Sequence, residues 1–205
     1  MRVIMIGAGG HGKVCAEIAS MSGYDEILFL DDNTQLVFCG KYNVFGIVKD
    51  FPKFLDGATN FFVSIGDAAV RQEIQEKIEE NGGRVATLIH PDAVIGSDVE
   101  IGRGSVVMAG TVINSGTEIG KSVIVNTSSS VDHDCIIGDY CHVAVGAHIC
   151  GTVTIGTGTW IGAGAVVSNN VEIQGNCMIG AGAVVVGDLK EAGVYLGIPA
   201  EKRRI

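Results

Sequence analysis

Proline and aromatic residues are scarce in this 205-residue chain, with three Pro, one Trp and aromatics at 6% in all. With 47% hydrophobic residues beside so little proline, the chain is neither a disordered segment nor a collagen-like one. Basic residues are also few, 14 against 23 acidic ones, and the formal net charge of −9 excludes non-specific binding of nucleic acid through charge. A small anionic ligand, neutralised locally, stays open. No stretch reaches the roughly 18 apolar residues of a membrane span. The opening Met1-Arg2-Val3-Ile4-Met5-Ile6 runs into glycine too early for a signal h-region, so a cytoplasmic protein is expected. The cysteines Cys15, Cys39, Cys135, Cys141, Cys150 and Cys177 contain no C-x-x-C pair, which leaves a zinc ribbon or thioredoxin motif unspelled and reduced thiols expected. The chain could be one large domain or two small ones.

Glycine is present in excess, at 30 residues, and the second half of the chain has a period. From Ile95 to Val185 an aliphatic residue returns at every sixth position without an insertion. Two residues before each lies a second register that is always small or Val, including Ala93, Ser105, Thr117, Cys135, Cys141, Ala165 and Cys177. Gly often follows the aliphatic directly, as at Gly96, Gly102, Gly120, Gly138, Gly156, Gly162 and Gly180, and is expected there to accept a sharp turn or a positive φ. One large and one small inward residue per six describe a short strand and a corner. Three such strands close a triangular coil of about 18 residues, so the repeat predicts a parallel β-solenoid. Cys135, Cys141 and Cys177 fall on the small register and read as packing. After Val185 the rhythm fails near Glu191, and the tail through Gly197-Ile198-Pro199-Ala200 and Lys202-Arg203-Arg204 is the candidate cap of the open end.

The first ninety residues have a different rhythm. Val3–Ile6 reads as a buried strand, and Gly7-Ala8-Gly9-Gly10-His11-Gly12-Lys13 opens a helix through about Ser22. Ile27–Leu30 is a second strand ending in Asp31-Asp32, and Phe61–Ile65 a third before Gly66-Asp67. A helix over 68–81, with Val70, Ile74 and Ile78 on one face, stops at Gly82-Gly83. Strand alternating with helix predicts a small parallel α/β domain. Gly7, Gly9 and Gly12 match G-x-G-x-x-G with Asp31 some twenty residues on, as at a dinucleotide site. The same residues match G-x-x-x-x-G-K, but Val14 stands where the magnesium-binding Ser or Thr belongs, which disfavours an NTPase. Common to both motifs is a row of backbone amides at a helix N-terminus facing a phosphate. A tight turn that binds nothing is the competing reading.

Chemistry concentrates in Asn126-Thr127-Ser128-Ser129-Ser130-Val131-Asp132-His133-Asp134-Cys135. With Val131 and Cys135 inward, Asp132, His133 and Asp134 fall on the outward turn. A carboxylate bonded to an imidazole orients it and raises its pKa from about 6.5, and either aspartate could serve. Eighteen residues after His133 stands Gly151, one coil on, whose amide is a candidate oxyanion donor. A solvated acidic turn is the bland alternative.

Read in order, Gly-Ala-Gly-Gly-His-Gly, Phe-Leu-Asp-Asp, Ser-Ile-Gly-Asp and Asn-Thr-Ser-Ser-Ser-Val-Asp-His-Asp-Cys-Ile-Ile-Gly run through essentially the whole chain. They resemble the bacterial sugar acyltransferases of the hexapeptide-repeat superfamily. That family holds the UDP-4-amino-sugar N-acetyltransferases of bacillosamine synthesis and sialic acid O-acetyltransferases. The resemblance implies an α/β plus all-β chain: a Rossmann-like nucleotide-sugar-binding domain over 1–89, a left-handed parallel β-helix acyltransferase domain over 90–190 and a cap over 191–205. It implies an acetyl-CoA-dependent sugar N-acetyltransferase acting in glycan biosynthesis, a homotrimer with no metal. His133 would take the proton from the sugar amine, and Asp134, where the bacillosamine enzymes have Glu, would increase its basicity. His142, Gly151, Ala163 and Ala181 would contact acetyl-CoA in a groove between neighbouring subunits. Gly9, Gly10, His11, Asp31, Asp32 and Gly66 would hold the nucleotide sugar, with Asn126 lining the same site.

O-acetylation uses the same base and thioester and is the alternative. Within the same fold, a zinc-dependent carbonic anhydrase would draw on His133, His142 and His148, although their spacings do not resemble that family's. A non-catalytic trimeric scaffold with a nucleotide sensor is the remaining class. His11, His90 and His148 stay open between structural and ligand roles.

Overall fold

A computed structural model of the chain describes residues 1–203, and Arg204 of the tail and Ile205 lie outside the described residues. Two units emerge, Met1–Pro91 and the residues from Asp92 on.

In the first unit β1 (Arg2–Ile6) lies at the centre of a sheet, parallel to β2 (Glu26–Leu30) on one side and to β5 (Asn60–Val63) on the other. Val3, Ile4, Met5 and Ile6 are all fully buried, as a parallel strand covered on both faces requires. Helix α1 (Gly10–Met21) follows β1, and α2 (Ala68–Glu80) follows β5. Beyond β2 the sheet is extended by a hairpin of β3 (Phe38–Cys39) and β4 (Tyr42–Gly46), with β4 parallel to β2, and β6 (Arg84–Val85) joins β5 at the other edge. A 3₁₀ segment, Val48–Phe54, brings Phe51 against Phe61 in a core that includes Ile4, Ile6, Leu30, Val63 and Ile78.

Of the expected apolar face of α2, Ile78 is buried in the core and Ile74 packs against it, but Val70 does not. Val70 is 42% exposed, and the buried stripe is Arg71, Gln75 and Ile78, spaced four and three as one helix face requires. At the N-cap the Asp67 carboxylate accepts from Val70 N at 2.9 Å. The Arg71 guanidinium meanwhile reaches back to the carbonyls of Ile65 and Gly66 at 2.9 and 2.8 Å.

The second unit is a parallel β-helix. Its repeated short strands pair in parallel with strands 18 residues away, as in Ile95 with Ile113, Ile113 with Val131, Val131 with Ile149 and Ile149 with Val167. Three such ladders form three faces. The aliphatics and the small register fill one continuous core, from Ile95 at its margin to Val185. Leu189 and Tyr195 complete the buried column at the C-terminal end, where the strand Gly193–Leu196 pairs with Cys177–Ile179.

Four of the five hydroxyl-bearing members of the small register follow one rule, and the fifth, Ser129, instead donates back to Asn126 O at 2.6 Å. Ser105, Thr111, Thr117 and Thr159 are at most 1% exposed, and each hydroxyl donates to a carbonyl 15 residues on, at Gly120, Asn126, Asp132 and Gln174. Cys135 and Cys141 do the same through Sγ, to Cys150 and Gly156. A buried side-chain donor thus satisfies a corner carbonyl of the next coil. Burial pushes the Cys135 and Cys177 thiols up, in keeping with packing cysteines.

The glycines that follow the aliphatics do a different job from the one expected. Positive φ recurs at every sixth residue from Asp98 to Gly182, three residues after the aliphatic, where Asp134, Tyr140 and Thr152 adopt it as well as glycine. Gly102, Gly138 and Gly156 have ordinary φ. A Cβ on them would stand 2.5, 2.7 and 2.3 Å from backbone atoms of Gly120, Thr157 and Gly175. Close passage of the next coil, not turn geometry, requires glycine there.

Candidate active site

The turn between inward Val131 and Cys135 presents Asp132, His133 and Asp134 outward, and the His133 side chain is 57% exposed. Asp134 sits in the left-handed region at φ 56. This conformation brings its Oδ2 to 2.8 Å from His133 Nδ1, which donates to it and leaves Nε2 as the acceptor. The Asp134 hydrogen bond, then the charge of Asp132, raises the His133 pKa above its ordinary value. The Asp132 carboxylate hydrogen-bonds to other groups. Its Oδ1 accepts from Asn114 Nδ2 at 2.7 Å and from the His133 amide at 2.9 Å, and these bonds hold the carboxyl below its usual range.

Gly151 lies against the imidazole as the 18-residue coil predicts. A Cβ there would be 2.6 Å from His133 Nε2 and 2.7 Å from Cε1, so any side chain would displace the ring. On the other side a Cβ on Gly116 would be 2.7 Å from Asp134 Oδ1. His133, Asp134 and Gly151 therefore form one constellation, on the edge between the face containing Ser130–Val131 and that containing Ile136–Ile137.

Asn126, His142, Ala163 and Ala181 belong elsewhere on the prism. The Thr127 amide donates to Asn126 Oδ1 at 2.8 Å, which orients the carboxamide so that Nδ2 donates to His142 Nε2 at 3.1 Å. The His142 ring packs at a tilt of 39° against Trp160, with centroids 4.4 Å apart. Ala163 and Ala181 are exposed on consecutive coils, linked where the Gly182 amide donates to Ala163 O at 2.9 Å. They occupy the edge following the His142–Trp160 face, not the edge of His133. His148 bonds Ser130 Oγ at 2.8 Å, so His133, His142 and His148 are tied to three separate partners. No group of three or more His, Cys, Asp or Glu among the described residues could hold a metal ion.

In the first unit, Gly9 caps α1 and, with Gly10, opens onto free space. Gly12 is needed for packing, because a Cβ would lie 2.2 Å from Gly7 O. Both aspartates after β2 hold backbone: Asp31 accepts from Ala8 N at 2.7 Å and Asn33 N at 2.8 Å, and Asp32 from Val48 N at 2.9 Å. Asp32 also lines a cleft of about 500 Å³ with Val48, Lys49, Phe51 and Ile74. His11 lies beside Cys15 Sγ at 3.5 Å, and burial, reinforced by the Arg71 charge, lowers its pKa to about 4. Around neutral pH it is an uncharged imidazole. Gly66 itself adjoins open space, and its carbonyl takes the Arg71 bond. Asn114, Gly116, Trp160 and Arg71 escaped sequence reasoning. Subtracting 18 from Asp132 and Asp134, or adding it to His142, finds the first three.

The PglD N-terminal domain family matches residues 2–78. The acetyltransferase domain of PglB from Neisseria gonorrhoeae, also solved in complex with acetyl coenzyme A, is 37% identical, with 98% of this chain and 99% of that one covered at a TM-score of 0.95. PerB from Caulobacter crescentus, solved with CoA and GDP-perosamine, is 34% identical over 100% of this chain and 98% of that one, at a TM-score of 0.94. The UDP-N-acetylbacillosamine N-acetyltransferase of Bacillus subtilis is 31% identical over 110 residues, which make up 52% of this chain and 51% of that protein, about half of each. No helix among the described residues is long and apolar enough to cross a membrane.

Proposed function

We propose, from the premise that this chain belongs to the bacterial sugar acetyltransferase family of the PglB acetyltransferase domain and PerB, that it transfers acetyl from acetyl-CoA to the amino group of a nucleotide-linked amino sugar. The observation that carries this reading is the 2.8 Å bond from His133 Nδ1 to Asp134, with Nε2 left as the acceptor over Gly151. His133 takes a proton from the sugar amine as its nitrogen attacks the thioester carbonyl. The tetrahedral intermediate collapses with cleavage of the C–S bond, and the same imidazole returns the proton to the departing CoA thiolate. General-base assistance of this kind contributes about 10²–10⁴ in rate. Among the described residues no carbonyl accepts from the Gly151 amide in the backbone ladder, and in this reading that amide serves the oxyanion.

The nucleotide belongs at the first unit, with the open N-terminus of α1 at Gly9 and Gly10 facing the diphosphate and Asp31 and Asp32 toward the base and ribose. His11, uncharged, contributes a hydrogen bond there rather than a countercharge. The apolar floor of Phe51 and Ile74 beside Asp32 suits a planar base, uracil in our reading. Ala163, Ala181, His142 and Asn126 serve acetyl-CoA and the acceptor. Because they stand on a different edge from His133, a groove containing both sets calls for a second copy, which supports a homotrimer.

Thiol release from acetyl-CoA, measured against a panel of UDP-, dTDP- and GDP-linked 4-amino sugars and free sialic acids, tests the reading. Turnover with a UDP-linked amino sugar is expected. Release only with sialic acid would move the reaction to a hydroxyl acceptor, and release with none would end the proposal.

A further inference from the structure

Resting on His133 as the base, we propose that Asn114 is a positioning residue for it, acting through Asp132 from the coil beneath. The two aspartates beside the base have distinct work. Asp134 holds the ring nitrogen, while Asp132 holds the main chain of the base: its Oδ1 accepts the His133 amide at 2.9 Å. That oxygen is itself fixed by Asn114 Nδ2 at 2.7 Å. The neighbouring residues of the lower turn complete the cradle. The Asp134 amide donates to Ser115 O at 3.1 Å, and the Asp134 carboxylate occupies the space a Cβ on Gly116 would fill. Asp132, His133 and Asp134 thus rest in register on Asn114, Ser115 and Gly116. Above, the Thr152 amide donates to His133 O at 2.9 Å and Gly151 meets the ring.

A neutral donor suits this position. Lys or Arg at 114 could hold Asp132 as firmly but would cancel its field at the imidazole. The lower turn, Asn114 to Gly116, contains no titratable side chain, and the upper turn, Cys150 to Thr152, contains only the Cys150 thiol. The charges facing His133 are those of Asp132 and Asp134, and Asp132 reaches the base through space as well as through the main chain.

The test is steady-state kinetics of the full chain with acetyl-CoA and its nucleotide-sugar acceptor, from about pH 5 to 9, for Asn114→Ala, Asp132→Asn and His133→Ala. Asn114 is exposed, so Asn114→Ala should fold with an unchanged Tm. It should lose about tenfold in kcat with both KM values within about twofold, as a misplaced base does. Asp132→Asn keeps an oxygen for the same two donors but loses the charge, so the acid limb of its pH–rate profile should move to lower pH. Wild-type kcat in Asn114→Ala overturns the positioning role while His133→Ala still lowers turnover by orders of magnitude, and an unmoved acid limb in Asp132→Asn overturns the part assigned to the Asp132 charge. Wild-type turnover in His133→Ala removes the base reading itself.

Discussion

His11 and His133 place the same ring in opposite surroundings. His11 lies beside Cys15 at the start of a helix, where burial and the Arg71 guanidinium keep it uncharged, with a pKa near 4. His133 stands on an open turn between two carboxylates, which favour its protonated form. One environment keeps an imidazole neutral, and the other favours its protonated form, as the proposed base role of His133 uses. Desolvation acts on the first and hydrogen bonding plus charge on the second, so each can be altered without touching the other.

Substituting the rings separately gives the largest contrast. His133→Ala should lower turnover about 10²–10⁴-fold with nucleotide-sugar affinity nearly unchanged in calorimetry, whereas His11→Gln should act mainly on that affinity. Next comes stability against pH. The folded pKa of His11 is lowered, so the unfolded chain binds the extra proton, and stability should fall as pH drops from about 6.5 to about 4, by on the order of 3 kcal/mol at most. Denaturant titrations of wild type and His11→Gln should differ in this window. Gly151→Ala then tests the contact over the base. Its methyl would overlap Nε2, and a loss of roughly 10²-fold in kcat/KM is expected, with a correctly folded coil by circular dichroism. The smallest effect is on stability near His133. Its folded pKa is raised, so the pair contributes below the unfolded pKa and that contribution disappears as pH rises through the folded value. Because the pair is exposed, Tm differences between wild type and Asp134→Asn should lie near the limit of measurement.

The β-helix was legible because its period is long and unbroken: sixfold return of Ile and Val needs only counting, and it assigned Cys135 and Cys141 inward and His133 outward. Glycine after the aliphatic was legible as a requirement but not in its cause, since only the next coil reveals that Gly102 lies against Gly120. In the first unit, β1, β2 and both helices followed from apolar runs and capping signals. The two-residue β3 and the 3₁₀ segment are too short to have a period, and they went unread. Val70 misled because the residue that belongs on the buried face is an arginine satisfied by carbonyls of the preceding turn. At the site, His133, Asp134 and Gly151 could be aligned by the coil length. Asn114 and Gly116 could have been found by the same step taken downward, but neither draws notice as a residue type.

The uniform coil length also bears on how such a site can change through evolution. His133, the glycine above it and the turn beneath it come from three successive coils, all in register. Loss or gain of a single residue within them would rotate every later side chain to another position on the prism and dismantle the cluster. Gain of a whole turn of eighteen residues beyond Asn170 would lengthen the column while leaving the cluster's internal spacing as it was. Gene lengths in lineages descended from such a chain should therefore differ in this region by multiples of one coil.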